Sequence, residues 1–379
     1  MEERPAGLSA VHIVDYDCVT CLGTGHEVLW KSLLESQCGS KTVERFSTEN
    51  YVNNKAACIS ELDEVPHGQR FIALLEMLCQ RRINITPDMV LLTATTKDNI
   101  ELHERAVERG QCPQVSACSM VDLLRQRWSF HLPGRNINTA CASGSTAILW
   151  ASEMITHKQA DCVVVCGADL VSEFVFSGFS ALKAMSPNTS RPFDRDRDGL
   201  MLGETAAYIV LMSEQRAAKE QRQTLGAING WGISSDAHHI TAPDRQGQGL
   251  QRAIGHALKK ASIPSQEISS INAHGTGTIH NDAMEITAFS QVFADQIPAV
   301  YSVKGAIGHS LGPCGLVEAI VTARSLQEQI VPPVTGLQTP ETKIASSVST
   351  KPKTVRGDYA LSVNSGFGGI NTALVLKKV

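Results

Sequence analysis

The segment Asp161-Cys-Val-Val-Val-Cys-Gly is a continuous apolar run of strand length, closed by Asp and Gly. A strand with no polar face has to be covered on both sides, which requires a sheet lying between helical layers. Residues 206–212 repeat the feature. Strand-length runs also fall at 10–19, 89–94, 225–231, 268–273, 299–303 and 359–364, with a short β-prone stretch at 135–139. Between them, helical spacing appears in Glu27-Val-Leu-Trp-Lys-Ser-Leu-Leu, at 121–128 (broken by Leu132-Pro-Gly), at 142–155, 249–261 and 310–329, and after Asp282. This alternation predicts an α/β protein with largely parallel sheets. The polar stretch 214–224 divides a first half, 1–215, from a second, 216–379. Both halves open strand, helix, strand, so a duplicated core is expected.

The 379 residues are 42% hydrophobic and 19% charged, enough for a large buried core. A net charge of -4 gives no overall attraction to nucleic acid or to an anionic membrane surface. No run reaches the roughly 18 apolar residues of a membrane span. The opening Met1-Glu-Glu-Arg-Pro-Ala lacks the apolar segment of a signal peptide, so a cytoplasmic protein is expected. Eleven cysteines, an odd number scattered along the chain, read as reduced thiols rather than a disulfide framework.

Cys141 follows the β-prone 135–139 and opens a helix of small residues, Ala142-Ser-Gly-Ser. A thiol at a helix N-terminus meets the positive end of the macrodipole, which favours thiolate. Free backbone N–H groups there can hold an oxyanion. The same residue also reads as an ordinary buried cysteine, and the segment leaves both readings open. Cys162 and Cys166 lie inside an apolar strand and read as core. Cys18-x-x-Cys21 resembles a redox or metal pair but has no second CxxC.

His274, in Asn272-Ala-His-Gly-Thr-Gly-Thr, directly follows an expected strand. His309, in Ser302-Val-Lys-Gly-Ala-Ile-Gly-His, directly precedes an expected helix. Both fall where α/β sheets place functional groups, in glycine-rich loops that let a ligand approach the backbone. A helix start disfavours imidazolium, so His309 is expected to be a neutral N–H donor. A zinc site is a competing reading, but no ligand pair has finger spacing and His274 to His280 is not HExxH. No metal is therefore expected. Lys304 and Glu318 lie in apolar surroundings and are a candidate ion pair.

Five segments together resemble the β-ketoacyl-acyl-carrier-protein synthases of the thiolase superfamily. They are Thr139-Ala-Cys-Ala-Ser-Gly, Ser190-Arg-Pro-Phe-Asp-Arg-Asp-Arg-Asp-Gly, Asn272-Ala-His-Gly-Thr-Gly-Thr, Ser302-Val-Lys-Gly-Ala-Ile-Gly-His and Asn364-Ser-Gly-Phe-Gly-Gly-Ile-Asn, in family order. The resemblance implies the five-layered αβαβα thiolase-like fold with two similar halves. It implies a decarboxylative condensation in which Cys141 takes an acyl group from a carrier protein. His274 and His309 would then stabilise the enolate formed from a malonyl thioester. Backbone N–H groups of Cys141 and Phe367 would form the oxyanion hole. Lys304, supported by Glu318, would order the site. Thr276 and Thr278 would bind the phosphopantetheine arm, and Phe367 and Asp236 would act as a gate. No cofactor is implied beyond that arm. An acidic acyl carrier protein would dock near Arg70, Arg125, Arg127 or Arg191.

The first third departs from the family pattern. Its glycine-rich opening is replaced by Asp15-Tyr-Asp-Cys-Val-Thr-Cys, and residues 53–134 look shortened. A homodimer is therefore one expectation. A heterodimer with a ketosynthase-like chain-length subunit, in fatty-acid, polyketide or polyene synthesis, is the other. The chain could also be the silent, chain-length-setting subunit itself, but such subunits lack the cysteine, and here Cys141 and both histidines are present.

Overall fold

The computed structural model describes residues 11–81, 83–112, 119–294 and 296–379. The polar opening 1–10, with Ala10 of the first expected strand, lies outside them. Among the described residues, ten strands and a two-residue partner of the first, Gly23–Thr24, form one mixed sheet. The first half supplies β1 (Val11–Thr20), β2 (Val90–Ala94), β3 (Arg135–Asn136), β4 (Cys162–Asp169) and β5 (Thr205–Ser213). The second supplies β6 (Gly226–Ser235), β7 (Ile268–Asn272), β8 (Ala299–Tyr301), β9 (Tyr359–Gly366) and β10 (Ile370–Lys377).

The order is β1-β5-β4-β2-β3 in the first half and β6-β10-β9-β7-β8 in the second, the same sequence of positions. The halves join where Val11, His12 and Ile13 pair antiparallel with Ile228, Ala227 and Gly226. In each half the pairs among the second, third and fourth strands are parallel. The last strand of each half runs against its neighbours. The expected largely parallel sheets are therefore mixed. The cause is visible at β9 and β10, an additional strand beyond the predicted set. A turn of three residues joins them, and a tight turn can close only an antiparallel pair.

The layers follow from strand alternation. In β4, Val163 and Val165 face inward with Ala207, Ile209 and Leu211 of β5. They pack on Ala147, Ile148 and Ala151 of α3 (Ser143–Thr156). Val164, Cys166 and Ala168 face outward with Tyr208 and Val210, against Phe71 and Leu74 of α1 (Arg70–Cys79). Each such aliphatic side chain, fully buried, contributes about 1.5–3 kcal/mol. The helix α3 touches α8 (Cys314–Glu328), and both contact strands of both halves. The helix α5 (Gln248–Ala261) covers β6 and β10. The one sheet thus has a half on each side of the paired helices, giving a stack of helix, sheet, paired helices, sheet, helix: a thiolase-like fold. Among the described residues the nine cysteines other than Cys112 are free thiols. Among the described residues no helix is long and apolar enough to cross a membrane.

Candidate active site

Cys141 lies two residues ahead of α3, behind Ala140, whose φ of 51° places a non-glycine residue in the left-handed region. Backbone strain of this kind costs on the order of 1–3 kcal/mol and needs local support. Ser143 supplies it: its Oγ donates to the carbonyl of Ala140 at 2.5 Å and accepts the Thr139 N–H at 3.0 Å. Gly144 donates to the carbonyl of Gly312 at 2.9 Å, locking the elbow to the turn before α8. A Cβ on Gly144 would sit 2.9 Å from the backbone N of Leu316, so this close approach requires glycine.

The thiol departs from one expectation. Burial pushes Cys141 up to about 11, against the pull of the Lys304 ammonium and the Phe367 backbone N–H. The helix start alone predicted a thiolate. Loss of water around the sulfur outweighs it, so the resting group is a neutral thiol.

His274 sits just beyond β7 and His309 beyond α7 (Lys304–Ile307), with ring centroids 5.3 Å apart and planes at 89°. Both are buried and held well below the ordinary histidine range. Burial is the main cause, and Lys304 adds to it. The neutrality expected for His309 is thus present, but for another reason. The helix α8 starts at Cys314, five residues later, so His309 does not itself open that helix. Nδ1 of His309 is buried without a hydrogen-bond partner among the described residues.

The His274 loop is fixed by groups that sequence reasoning missed. Glu285, on α6 (Ile279–Phe293), accepts the His274 and Gly275 N–H groups, each at 2.7 Å. Burial raises Glu285 to about 8. Asp282 accepts the N–H of Gly277 at 3.2 Å and of Phe193 at 2.9 Å. Ser190 donates to the carbonyl of Thr276 at 2.7 Å. The segment from Ser190 therefore buttresses this loop. Two carboxylates one helical turn apart, straight after a glycine-rich loop, were the available signal. Asp169 was also missed. It accepts from Thr95 Oγ at 2.8 Å and from the Gly312 N–H at 2.9 Å, and burial lifts it to about 6.

Lys304 and Glu318 form a buried ion pair. Burial opposes the Lys304 charge, but the Glu318 carboxylate outweighs it and the ammonium is held up. Its Nζ also lies 3.3 Å from His274 Nδ1.

A cavity of about 320 Å³ is lined by Cys141, His274, His309, Thr276, Thr278, Asp236 and Phe367, among others. Thr276 and Thr278 share a hydroxyl contact of 2.9 Å. Phe367 stacks on Phe179 of α4 (Glu173–Ala181), centroids 5.8 Å apart. Gly369 accepts the Asp236 N–H at 2.8 Å, and Asn371 donates to Asp236 Oδ1 at 2.8 Å, so the two loops are joined.

The four arginines separate. Arg70 is buried, donating to Glu101 at 2.8 Å, and cannot form a docking face. Arg125 and Arg127 lie on α2 (Met120–Trp128), and Arg125 donates to the carbonyl of Leu132, which borders a different groove. Arg191 stands beside the cavity, paired at 3.2 Å with Asp198, one of its lining residues.

A strained cysteine elbow that shares one cavity with two neutral imidazoles, in a duplicated α/β core, defines a condensing enzyme of the thiolase-like fold. Models of the β-ketoacyl synthase N-terminal and C-terminal domains match residues 98–217 and 225–338. The chain belongs to the β-ketoacyl synthase family. It is 32% identical over 399 residues to "3-oxoacyl-[acyl-carrier-protein] synthase 2" of Vibrio harveyi, covering 94% of this chain and 96% of the relative. Two solved structures, each 26% identical and covering 98% of this chain and 100% of the other, superpose closely. "The ishigamide ketosynthase/chain length factor" has a TM-score of 0.87, and a β-ketoacyl synthase from Burkholderia phymatum STM815 one of 0.85. The chain is accordingly a ketosynthase, an acyl-transferring enzyme.

Proposed function

We propose that this chain condenses an acyl group held on Cys141 with a malonyl group carried on acyl carrier protein. In the first step the Cys141 sulfur attacks the carbonyl of an acyl thioester. The N–H groups of Cys141 and Phe367 stabilise the tetrahedral oxyanion. The carrier thiol leaves with the cysteine proton. A malonyl thioester then enters and loses its carboxylate as carbon dioxide. His274 and His309, neutral because they are buried beside Lys304, donate to the thioester oxygen as enolate charge develops. The enolate carbon attacks the acyl-Cys141 carbonyl. A β-ketoacyl thioester leaves, and the released sulfur takes up a proton.

The single observation behind this reading is the convergence of Cys141, His274 and His309 on one cavity, with the Phe367 N–H directed at the sulfur. Thr276 and Thr278 on its wall suit a pantetheine arm, and the stacked Phe367 suits a gate linked to Asp236. No metal or organic cofactor enters the chemistry. Arg191, at the cavity, is the remaining member of the docking set beside the site. A groove of Val90, Leu92, Leu132, Leu149, Trp150 and Met154 flanks the exposed edge strand β3 and suits a second ketosynthase-like chain, identical or not. Such a protein would act in the cytoplasm, in fatty-acid or polyketide synthesis. The test is intact-mass analysis after incubation with acyl-carrier proteins. An acyl adduct mapped to Cys141 is expected, and full condensation by Cys141→Ala would end the proposal.

The reading as a heterodimer's catalytic subunit draws on the ishigamide pair and on "Ketosynthase (ApeO) in Complex with its Chain Length Factor (ApeC)" from Xenorhabdus doucetiae, 25% identical with a TM-score of 0.79. Gel filtration decides between the two assemblies: a stable, active homodimer rules out the obligate heterodimer.

A further inference from the structure

Asn364, two residues before the end of β9, is fully buried and meets groups from three other segments. Its Oδ1 accepts from Ser145 Oγ on α3. Its Nδ2 donates to Glu318 on α8, lies 3.4 Å from His274 Nδ1, and lies 3.7 Å from Cys314 Sγ. The Cys314 thiol donates in turn to the backbone carbonyl of Cys141 at 3.2 Å.

The amide has one orientation. Turned over, its oxygen would face the Glu318 carboxylate and its N–H₂ would face the Ser145 hydroxyl, whose proton is already directed at it. An oxygen against a carboxylate is repulsive and strips Glu318 Oε2 of its donor. The amide has two hydrogens. Glu318 takes one, and the other points between His274 Nδ1 and Cys314 Sγ. Among the described residues, His274 Nδ1 therefore faces two donors, the Asn364 amide and the Lys304 ammonium, and no acceptor. A nitrogen so placed cannot hold a proton, which leaves the hydrogen of this neutral ring on Nε2.

We propose that Asn364 is a positioning residue that fixes His274 as the Nε2–H tautomer, ready to donate into the cavity. Lys304 alone would leave the ring free to tilt about one contact. The second donor, anchored on the opposite half through Ser145, sets its plane. The same amide holds the Cys314 thiol, which supports the Cys141 backbone. The assignment rests on His274 being the donor to the thioester oxygen.

The experiment compares wild type, Asn364→Ala, Asn364→Asp, Ser145→Ala and His274→Ala. It reads malonyl-carrier decarboxylation, Cys141 acylation by intact mass, and the imidazole nitrogen shifts of ¹⁵N-histidine-labelled protein. Loss of orientation at a reacting group predicts a fall of about ten- to a hundredfold in decarboxylation kcat for Asn364→Ala. KM and acylation should change far less, and the His274 shifts should leave the Nε2–H pattern. Asn364→Asp keeps the oxygen for Ser145 but loses the N–H, so it should fall similarly and stands in if the alanine variant does not fold. Ser145→Ala should retain the Nε2–H pattern. Either Asn364 variant decarboxylating at the wild-type rate with the pattern intact overturns the assignment. A His274→Ala protein that decarboxylates normally overturns instead the functional reading beneath it.

Discussion

The turns into α3 and α8 begin alike and end differently. Ala140 and Leu311 both have positive φ, 51° and 58°, just ahead of the two central helices. In the first half the next residue is Cys141, whose side chain lines the cavity. In the second the next residue is Gly312, and the cysteine, Cys314, comes two positions later on the helix itself. Its thiol is turned inward onto the Cys141 carbonyl. Both cysteines are buried, and both thiols are pushed up by that burial. What separates them is access: one opens on a cavity with a backbone N–H aimed at its sulfur, and the other is held between Asn364 and the Cys141 carbonyl. A helix start alone therefore does not make a nucleophile.

Exchange of the two sulfurs is the sharpest way to break this comparison. Cys141→Ala should lose the acyl adduct entirely, whereas Cys314→Ala should still be acylated at Cys141. An adduct on Cys314 in the Cys141→Ala protein would erase the distinction. The histidines test the other side of the cavity. Removing an oxyanion donor typically costs about 10²–10³ in rate. His274→Ala or His309→Ala should lose condensation on that scale while acylation falls much less. Equal loss of both steps would show that the imidazoles serve the cysteine instead.

The pH dependence of alkylation sharpens the contrast further. With its thiol near 11, Cys141 should label with iodoacetamide about tenfold faster per pH unit between pH 7 and 9, following its thiolate fraction. A plateau below pH 8 would restore the helix-start thiolate. Cys314 should stay unlabelled in the folded protein. The smallest effect concerns the loop buttress. Glu285 has a folded value of about 8, above the ordinary 4.5, so the folded chain holds a proton that the unfolded chain releases. Its stabilising contribution is full below pH 4.5 and declines as pH rises to about 8. Melting curves of Glu285→Gln should lack that decline and differ from wild type by a few degrees across the window. Parallel curves would exclude the titration.

Much of the layout was legible because it is written in local periodicity. The run at 161–167 became β4, and the small-residue helix at 142–155 became α3, one residue displaced. The helix expected at 310–329 starts at Cys314, because Leu311 holds a left-handed turn that sequence does not announce. The last strand, β10, was absent from the prediction and is central in the sheet. Its glycine-rich approach reads locally as loop, and only pairing with β6 and β9 makes it a strand.

By itself the sequence determined the strand–helix alternation, the duplicated plan, and which cysteine, histidines and ion pair to place together. These follow from side-chain type and spacing along a few residues. Tertiary structure decided the protonation states, the burial of Arg70 and the convergence on Asn364. Each depends on water being excluded by segments that are separate along the chain, 31 residues apart for Arg70 and Glu101 and 219 for Ser145 and Asn364. Desolvation and long-range hydrogen bonds are properties of neighbours in space, which no local pattern encodes.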